Sequence, residues 1–196
     1  PPGNSLFILV TEYPGMLLPT IRSRCQRVRF GTLRPETVKE LLLKERDLPE
    51  ETAQSIAAVA QGQMSRALDL VDSGRRGVVL DVIGQLDQGG DPLAVAETFA
   101  ALLAARRKEL EARIQAEVDG PDPAEASRED REDFKNQLMA LAEAAVRSDI
   151  MEYLYLFETW YRDQAVYAAT RDANRVFNRD QLSRLEAARP MELDAR

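Results

Sequence analysis

Few residues of this chain could take part in chemistry, and the most distinctive of them form the tripeptide Ser23-Arg24-Cys25. Cys25 is the only cysteine and there is no histidine, so the sequence offers no Cys/His cluster for a metal and no imidazole for general-base catalysis. A G-x-x-x-x-G-K-[ST] phosphate loop and paired acids behind a strand are also absent from the sequence. We therefore expect no cofactor, no metal and no nucleotide turnover in this chain.

The charge of the chain restricts its partners. Its 196 residues carry 26 Lys plus Arg against 33 Asp plus Glu, which gives a net charge of −7. A dedicated nucleic-acid-binding protein needs a basic surface to displace counterions, so an acidic chain is not expected to be one. No run approaches the ~20 apolar residues of a membrane-spanning helix, and no signal peptide is recognisable. With a single free thiol, these features predict a soluble cytoplasmic protein without membrane contact.

The tripeptide lies within an ordered string of elements from Leu6 to Phe30. The apolar run from Leu6 to Val10, which ends at Thr11, predicts a short strand buried on both faces. A turn at Tyr13-Pro14-Gly15 follows, and alternating apolar and charged residues from Gln26 to Phe30 predict a second strand. Because two strands alone do not form a stable sheet, we expect a fragment that begins just ahead of the last strands of a larger α/β domain.

Beyond Phe30 the spacing of apolar residues predicts helices only. Three short helices are expected before a basic hinge at Ser73-Gly74-Arg75-Arg76-Gly77, where we place a domain boundary. A longer helix follows with Asp91 as its N-cap and Pro92 in its first turn. The predicted fold class is mainly α, with a two-strand remnant of an α/β sheet in residues 1–30, a three-helix bundle in residues 31–75 and a helical domain in residues 76–196.

The second half of the chain is expected to be a loop followed by two helices. Residues 119–133 are rich in Pro, Gly and acidic residues, which predicts a loop. A helix from Phe134 is expected to pause near Ser148-Asp149, and the next one, from Ile150 to about Thr170, holds six of the twelve aromatic residues. Large rings at helical spacing indicate a core or a helix–helix interface in preference to base stacking. The basic trio Arg106-Arg107-Lys108 is interpreted as a solvated face, with DNA phosphate contact as the alternative.

The string from Leu6 to Phe30 resembles the clamp-loader branch of the AAA+ ATPases. There an apolar strand, a Thr, a Pro turn, two Leu and Pro-Thr-Ile-x-Ser-Arg-Cys precede a β run, and this chain has all of them in order. The resemblance implies that Arg24 is an arginine finger acting in trans on ATP bound to a neighbouring subunit, with Ser23 and Cys25 holding the turn. It also implies a nucleotide-sensing position at Thr11. A guanidinium, with fixed bidentate donors and a permanent charge, suits a transferring phosphoryl group.

The resemblance covers the rest of the chain as a three-helix lid and a helical collar, the oligomerisation domain. The family's third lid helix starts with a Gly-Ser-x-Arg-Asp-Ala-Leu type of string, whose Arg reads the nucleotide phosphate in hydrolysing members. In the matching string, Gly62 to Leu68, Ser65 takes the arginine position and Arg66 comes one residue later, about 100° around the helix. This departure favours a non-hydrolysing, delta-prime-like subunit. Arg66 is expected to face solvent or to pair with Asp69 or Asp72.

The collar of the family carries a Trp-x-Arg-Asp string, often followed by an Asn-x-Asp turn. This chain matches both motifs, with Trp160, Arg162 and Asp163 in the first and Asn178 and Asp180 in the second. We expect the adjacent Arg162 and Asp163 to point to different faces and to form structural pairs with other helices. The Asn-x-Asp turn is expected to cap the last helix, Gln181 to Ala188.

The resemblance implies a clamp-loader subunit of the replicative DNA polymerase holoenzyme. Its partners would be motor (gamma/tau-like) ATPase subunits and a delta-like subunit, with DNA and the sliding clamp reached through the assembled complex. Two alternatives stay open. The chain could belong to a motor ATPase subunit whose phosphate loop lies upstream, or to an unrelated helical interaction module in which the Ser-Arg-Cys string is a coincidence.

Overall fold

The computed structural model of this chain describes residues 6–118 and 127–188. The chain divides into two compact units, Pro1–Thr32 and Leu33–Arg196. Within the described residues the second unit is helical throughout its regular elements, which agrees with the predicted mainly α class.

The first unit contains little regular structure. A 3-10 turn covers Pro14–Met16, and a single-turn helix, α1, covers Pro19–Arg22. The two predicted strands, at residues 6–10 and 26–30, are not formed in this part of the structure. A strand needs a neighbour for its backbone N–H and C=O groups, and neither segment has a ladder partner. The side chains of the first segment are exposed, from 54% at Leu9 to 94% at Val10.

The second unit begins with a bundle of three short helices. These are α2 (Pro35–Glu45), α3 (Glu50–Val59) and α4 (Met64–Asp72). Pro35 occupies the first turn of α2, where its missing N–H has no intrahelical acceptor. The three helices bury a small apolar core, made by Val38, Leu42, Ala53, Ile56, Ala57, Val59, Ala67 and Leu70. The three helices predicted in this region are therefore confirmed.

Two further helices follow, α5 (Arg75–Asp87) and α6 (Pro92–Glu117). The predicted cap of α6 is confirmed, because the backbone N–H of Leu93 donates to the Asp91 carboxylate at 3.1 Å. The start of α5 differs from the expected hinge. Gly74 takes a left-handed conformation with φ of 68°, and Arg75 and Arg76 already belong to the helix.

The longest element is α7, which runs for 43 residues from Arg128 to Thr170. Ser127 and Asp130 form a reciprocal capping box at its start, so the predicted loop up to residue 133 was too long. Hydrogen bonds from the Ser127 hydroxyl and backbone N–H lower the pKa of Asp130. The predicted pause at Ser148-Asp149 is wrong. The helix contains no Gly or Pro that could interrupt it.

Helix α7 packs against α5, α6 and the last helix of the second unit. It lies antiparallel to α6, where the Phe99 ring meets the rings of Tyr153 and Phe157 edge-on at 5.4 and 5.7 Å between centroids. After α7 come two 3-10 turns, Ala173–Arg175 and Arg179–Gln181, and the last helix, α8 (Leu182–Ala187). Across the described ranges, no helix is both long enough and apolar enough to cross a membrane.

Candidate functional site

The Ser-Arg-Cys tripeptide forms a turn directly after α1. The Ser23 N–H donates to the Pro19 carbonyl at 3.0 Å, and its hydroxyl donates to the Thr20 carbonyl at 3.2 Å. The Arg24 N–H donates to the Ile21 carbonyl at 3.1 Å. Local hydrogen bonds of this kind fix the backbone of a turn without any distant partner. The backbone at positions 23 and 24 is thus determined by the four residues of α1.

The side chain of Arg24 is accessible to solvent. It is exposed, and among residues 6–118 and 127–188 it has no hydrogen bond or ion pair. Cys25 is an exposed free thiol. Because the Arg24 guanidinium forms no ion pair with a carboxylate of the described chain, all its N–H donors are available to an external acceptor.

Thr11 lies in a local turn of the same unit. Its hydroxyl oxygen accepts a hydrogen bond from the backbone N–H of Tyr13 at 3.0 Å. Threonine commonly makes this two-residue contact at the start of turns. The nucleotide-sensing role predicted for Thr11 stays a prediction, since the strand that would end there is not formed.

Arg66, at the start of α4, contacts α7. Its Nη2 and Nε lie 2.9 and 3.2 Å from the Glu152 carboxylate, and its guanidinium stacks 3.8 Å from the centroid of the Tyr155 ring. The predicted partners were different acids, Asp69 and Asp72. Burial raises the pKa of Tyr155, whose hydroxyl donates to the Val59 carbonyl at 2.8 Å. Arg66 therefore joins the three-helix bundle to α7.

The Trp-x-Arg-Asp string organises a buried polar network around Asp163, which has no exposed surface. Its carboxylate accepts hydrogen bonds from the backbone N–H of Phe177 at 2.9 Å and from the N–H and side-chain amide of Asn178 at 2.7 and 2.9 Å. Arg162 donates to the same carboxylate at 2.7 Å and stacks on the Phe177 ring at 3.9 Å. Arg162 and Asp163 thus meet, in contrast to the expectation of different faces, because the long arginine side chain folds back.

Asn178 and Asp180 do not cap the last helix as predicted. The side-chain oxygen of Asn178 accepts from Arg76 at 2.9 Å, and the Asp180 carboxylate accepts two further bonds from Arg76 at 2.6 and 2.9 Å. The Asp180 N–H donates to the Ser55 hydroxyl at 3.2 Å. The turn after α7 is therefore hydrogen-bonded to the first turn of α5, through Arg76, and to α3, through Ser55.

Arg75, the residue before Arg76, connects α5 to two other helices. It is 6% exposed and pairs with Asp149 of α7 and with Asp69 of α4. Arg75 and Arg76 are the residues that sequence reasoning missed, because two arginines beside glycines suggest an exposed hinge. Except for Asp69, which is six positions from Arg75, their partners lie 74 to 104 positions away, beyond the reach of any local sequence pattern.

Two residues of the basic trio at positions 106–108 are paired along the surface of α6. Arg106 contacts Glu109 at 3.1 Å, and Arg107 contacts Glu111 at 2.8 Å, one turn of helix away. This arrangement favours the solvated face over the DNA contact. In the described residues no group of three or more acidic or cysteine side chains is placed to hold a metal ion.

Comparison with known proteins points to one class. Residues 1–34, which include the Ser-Arg-Cys turn, match a family model described as DNA polymerase III, delta subunit. Together with the helical fold, the match supports a clamp-loader subunit of the AAA+ class.

The curated relatives carry names from replication factor C. Replication factor C subunit 5 of Mus musculus is 33% identical over 75 residues, which cover 36% of this chain and 22% of that protein. The small subunit from Staphylothermus marinus is 30% identical over 76 residues, with 36% and 23% covered. The chain thus matches less than a quarter of the length of these relatives. No solved structure shows a significant match.

Proposed function

We propose that this chain is the C-terminal part of a delta-prime-like subunit of a DNA polymerase III type clamp loader. In this proposal it scaffolds the ring of subunits and offers Arg24 as an arginine finger to ATP bound by the neighbouring motor subunit. The observation that carries the proposal is that the family match over residues 1–34 includes a turn whose arginine is exposed and unpaired within the described chain. DNA and the sliding clamp are partners of the assembled complex.

The geometry of the turn supports a contact made in trans. Ser23 fixes the backbone through two hydrogen bonds, so the side chain of Arg24 extends from a defined position. A guanidinium presents its donors in a rigid fork and keeps its charge at any physiological pH. Both properties suit the negative charge that develops on the γ-phosphoryl group during transfer.

The lid motif supports the delta-prime-like type over a motor subunit. Ser65 occupies the position of the family's phosphate-reading arginine, and the neighbouring Arg66 is held by Glu152 and Tyr155. An arginine that is already paired and stacked would have to break both contacts to reach a nucleotide. On this proposal residues 1–30 end the ATPase-type domain, residues 31–75 form the lid and residues 76–196 form the collar.

The test uses the full-length parent protein assembled with its motor subunits. We expect Arg24→Ala to lower DNA-stimulated ATP hydrolysis at the site it serves by about 10³-fold or more, the range of arginine fingers, and Arg24→Lys not to restore it. Arg22→Ala, an exposed arginine two residues earlier, is the matched control and should leave hydrolysis unchanged. Light scattering checks assembly. An intact complex with normal hydrolysis in Arg24→Ala would refute the finger.

A further inference from the structure

Helix α7 has a second regular stripe on the side opposite its core contacts. The buried positions of the helix recur every three or four residues from Asp149 to Tyr167. About half a turn away lies another set, from Gln137 to Ala168 in alternating steps of three and four, and every one of its members is exposed. We call this set the outer seam. Its large apolar side chains are Met151, Leu154 and Tyr161, which are 58%, 55% and 40% exposed.

The spacing of the outer seam is that of a coiled-coil interface. Alternating steps of three and four give a mean of 3.5 residues, the repeat at which two helices keep contact along a shared seam. The seam covers about 47 Å of helix, at ~1.5 Å per residue. Most of its other members are alanines, which allow two helices to approach closely.

The charges on the outer seam select one orientation of a partner helix. Arg147 and Glu158 are its two charged members, and neither has a hydrogen bond or ion pair within the described chain. In a parallel pair of identical helices, Arg147 would face Arg147 and Glu158 would face Glu158, which is repulsive. In an antiparallel pair centred between Glu152 and Tyr153, each Arg147 faces Glu158 of the second copy.

The same antiparallel register matches the sizes of the side chains. It places Met151 opposite Leu154 of the second copy on both sides of the centre. Two layers further out, beyond Arg147 and Glu158, Tyr161 faces Ala144, a large ring against a small residue. In every layer an a position of one helix faces a d position of the other helix, which is the arrangement that antiparallel two-stranded coiled coils require. Charge, size and spacing thus agree on one register without any adjustment.

We propose that α7 binds α7 of a second copy of this chain along the outer seam, as an antiparallel two-fold dimer. The contact is isologous, so the same patch serves both copies and the assembly closes at two. This inference goes beyond the proposed function and concerns the chain by itself. Three large apolar side chains per copy make a small interface, and we expect a dissociation constant on the order of 10 μM.

The test is sedimentation equilibrium of the full chain over a concentration range that spans the expected dissociation constant. We expect the native chain to pass from monomer to dimer. Glu158→Arg places like charges in two layers and should weaken the dimer at least ~10-fold, as should Arg147→Glu. The double variant with both changes restores opposite charges and should return the dissociation constant to within ~3-fold of the native value.

Matched controls separate this surface from others. Glu40→Arg makes the same charge change at an exposed position of α2 and should leave dimerisation unchanged, and circular dichroism verifies that each variant keeps its helix content. A native chain that stays monomeric overturns the proposal. So does a dimer that Glu158→Arg does not weaken, because it must use another surface, such as the exposed apolar segment Leu6–Val10. Failure of the double variant to restore the dimer also overturns it.

Discussion

Replacing Asp163 with asparagine tests how much the buried polar network around this residue contributes to stability. The native carboxylate accepts bonds from two backbone N–H groups and one side-chain amide, and it also pairs with Arg162. Asparagine keeps one oxygen but turns an NH₂ group towards these donors, so at least one of them loses its acceptor. Leaving a buried donor without its acceptor costs about 1–3 kcal/mol, and we expect Asp163→Asn to lower the free energy of unfolding by this amount.

Such a loss is large against the ~5–15 kcal/mol that stabilises a typical domain. For a chain of this length it corresponds to a fall in Tm of about 2–12 °C. The assay is urea unfolding followed by circular dichroism, with Asp81→Asn as the control, because Asp81 is exposed and has no described ion pair. The control should change stability by less than ~0.5 kcal/mol. A loss below ~1 kcal/mol in Asp163→Asn, with an unchanged urea slope, would refute the reasoning.

Two further predictions concern the bundle and its contact with α7. Leu42→Ala removes a fully buried side chain of α2 and should lower the free energy of unfolding by about 2–5 kcal/mol, measured in the same urea assay; an unchanged midpoint would contradict the described core. Burial raises the pKa of Tyr155, so its contribution to stability is complete below the unfolded value of about 10 and is lost as the pH rises through the folded value. Tyr155→Phe should therefore reduce the fall in urea midpoint between neutral and alkaline pH, and an identical pH profile would exclude this assignment.

The sequence allowed a correct prediction of those features that depend on residues adjacent in the chain. Asp91-Pro92 marks the start of α6, and Pro35 marks the start of α2, because caps and first turns are set by local hydrogen bonding. The aromatic residues between Tyr153 and Tyr167 were expected to form a core or interface, and three of the six are buried while two more pack against the core. The Ser-Arg-Cys turn is likewise local.

The features that were predicted wrongly depend on contacts between residues far apart in the sequence. Ser148-Asp149 suggested a break, since a charged residue interrupts the apolar pattern, but Arg75 pairs with Asp149 and makes its burial possible. For the same reason the Arg75-Arg76 pair suggested a hinge until its acceptors were known. The two strands were predicted from a pattern that needs neighbouring strands, which the described chain does not supply.

The contacts of Arg76 have a consequence for the order in which the protein is completed during synthesis. Arg76 is separated from Asn178 and Asp180 by 102 and 104 positions, and Ser55 is separated from Asp180 by 125. The helices that carry Arg76 and Ser55 leave the ribosome well before these partners exist. Until the last turns emerge, the growing chain carries an arginine without its carboxylate and Asp163 without its amide donors. Asn178 and Asp180 therefore close the polar core of helices made much earlier, and a chain that stops short of Asn178 would lack that closure.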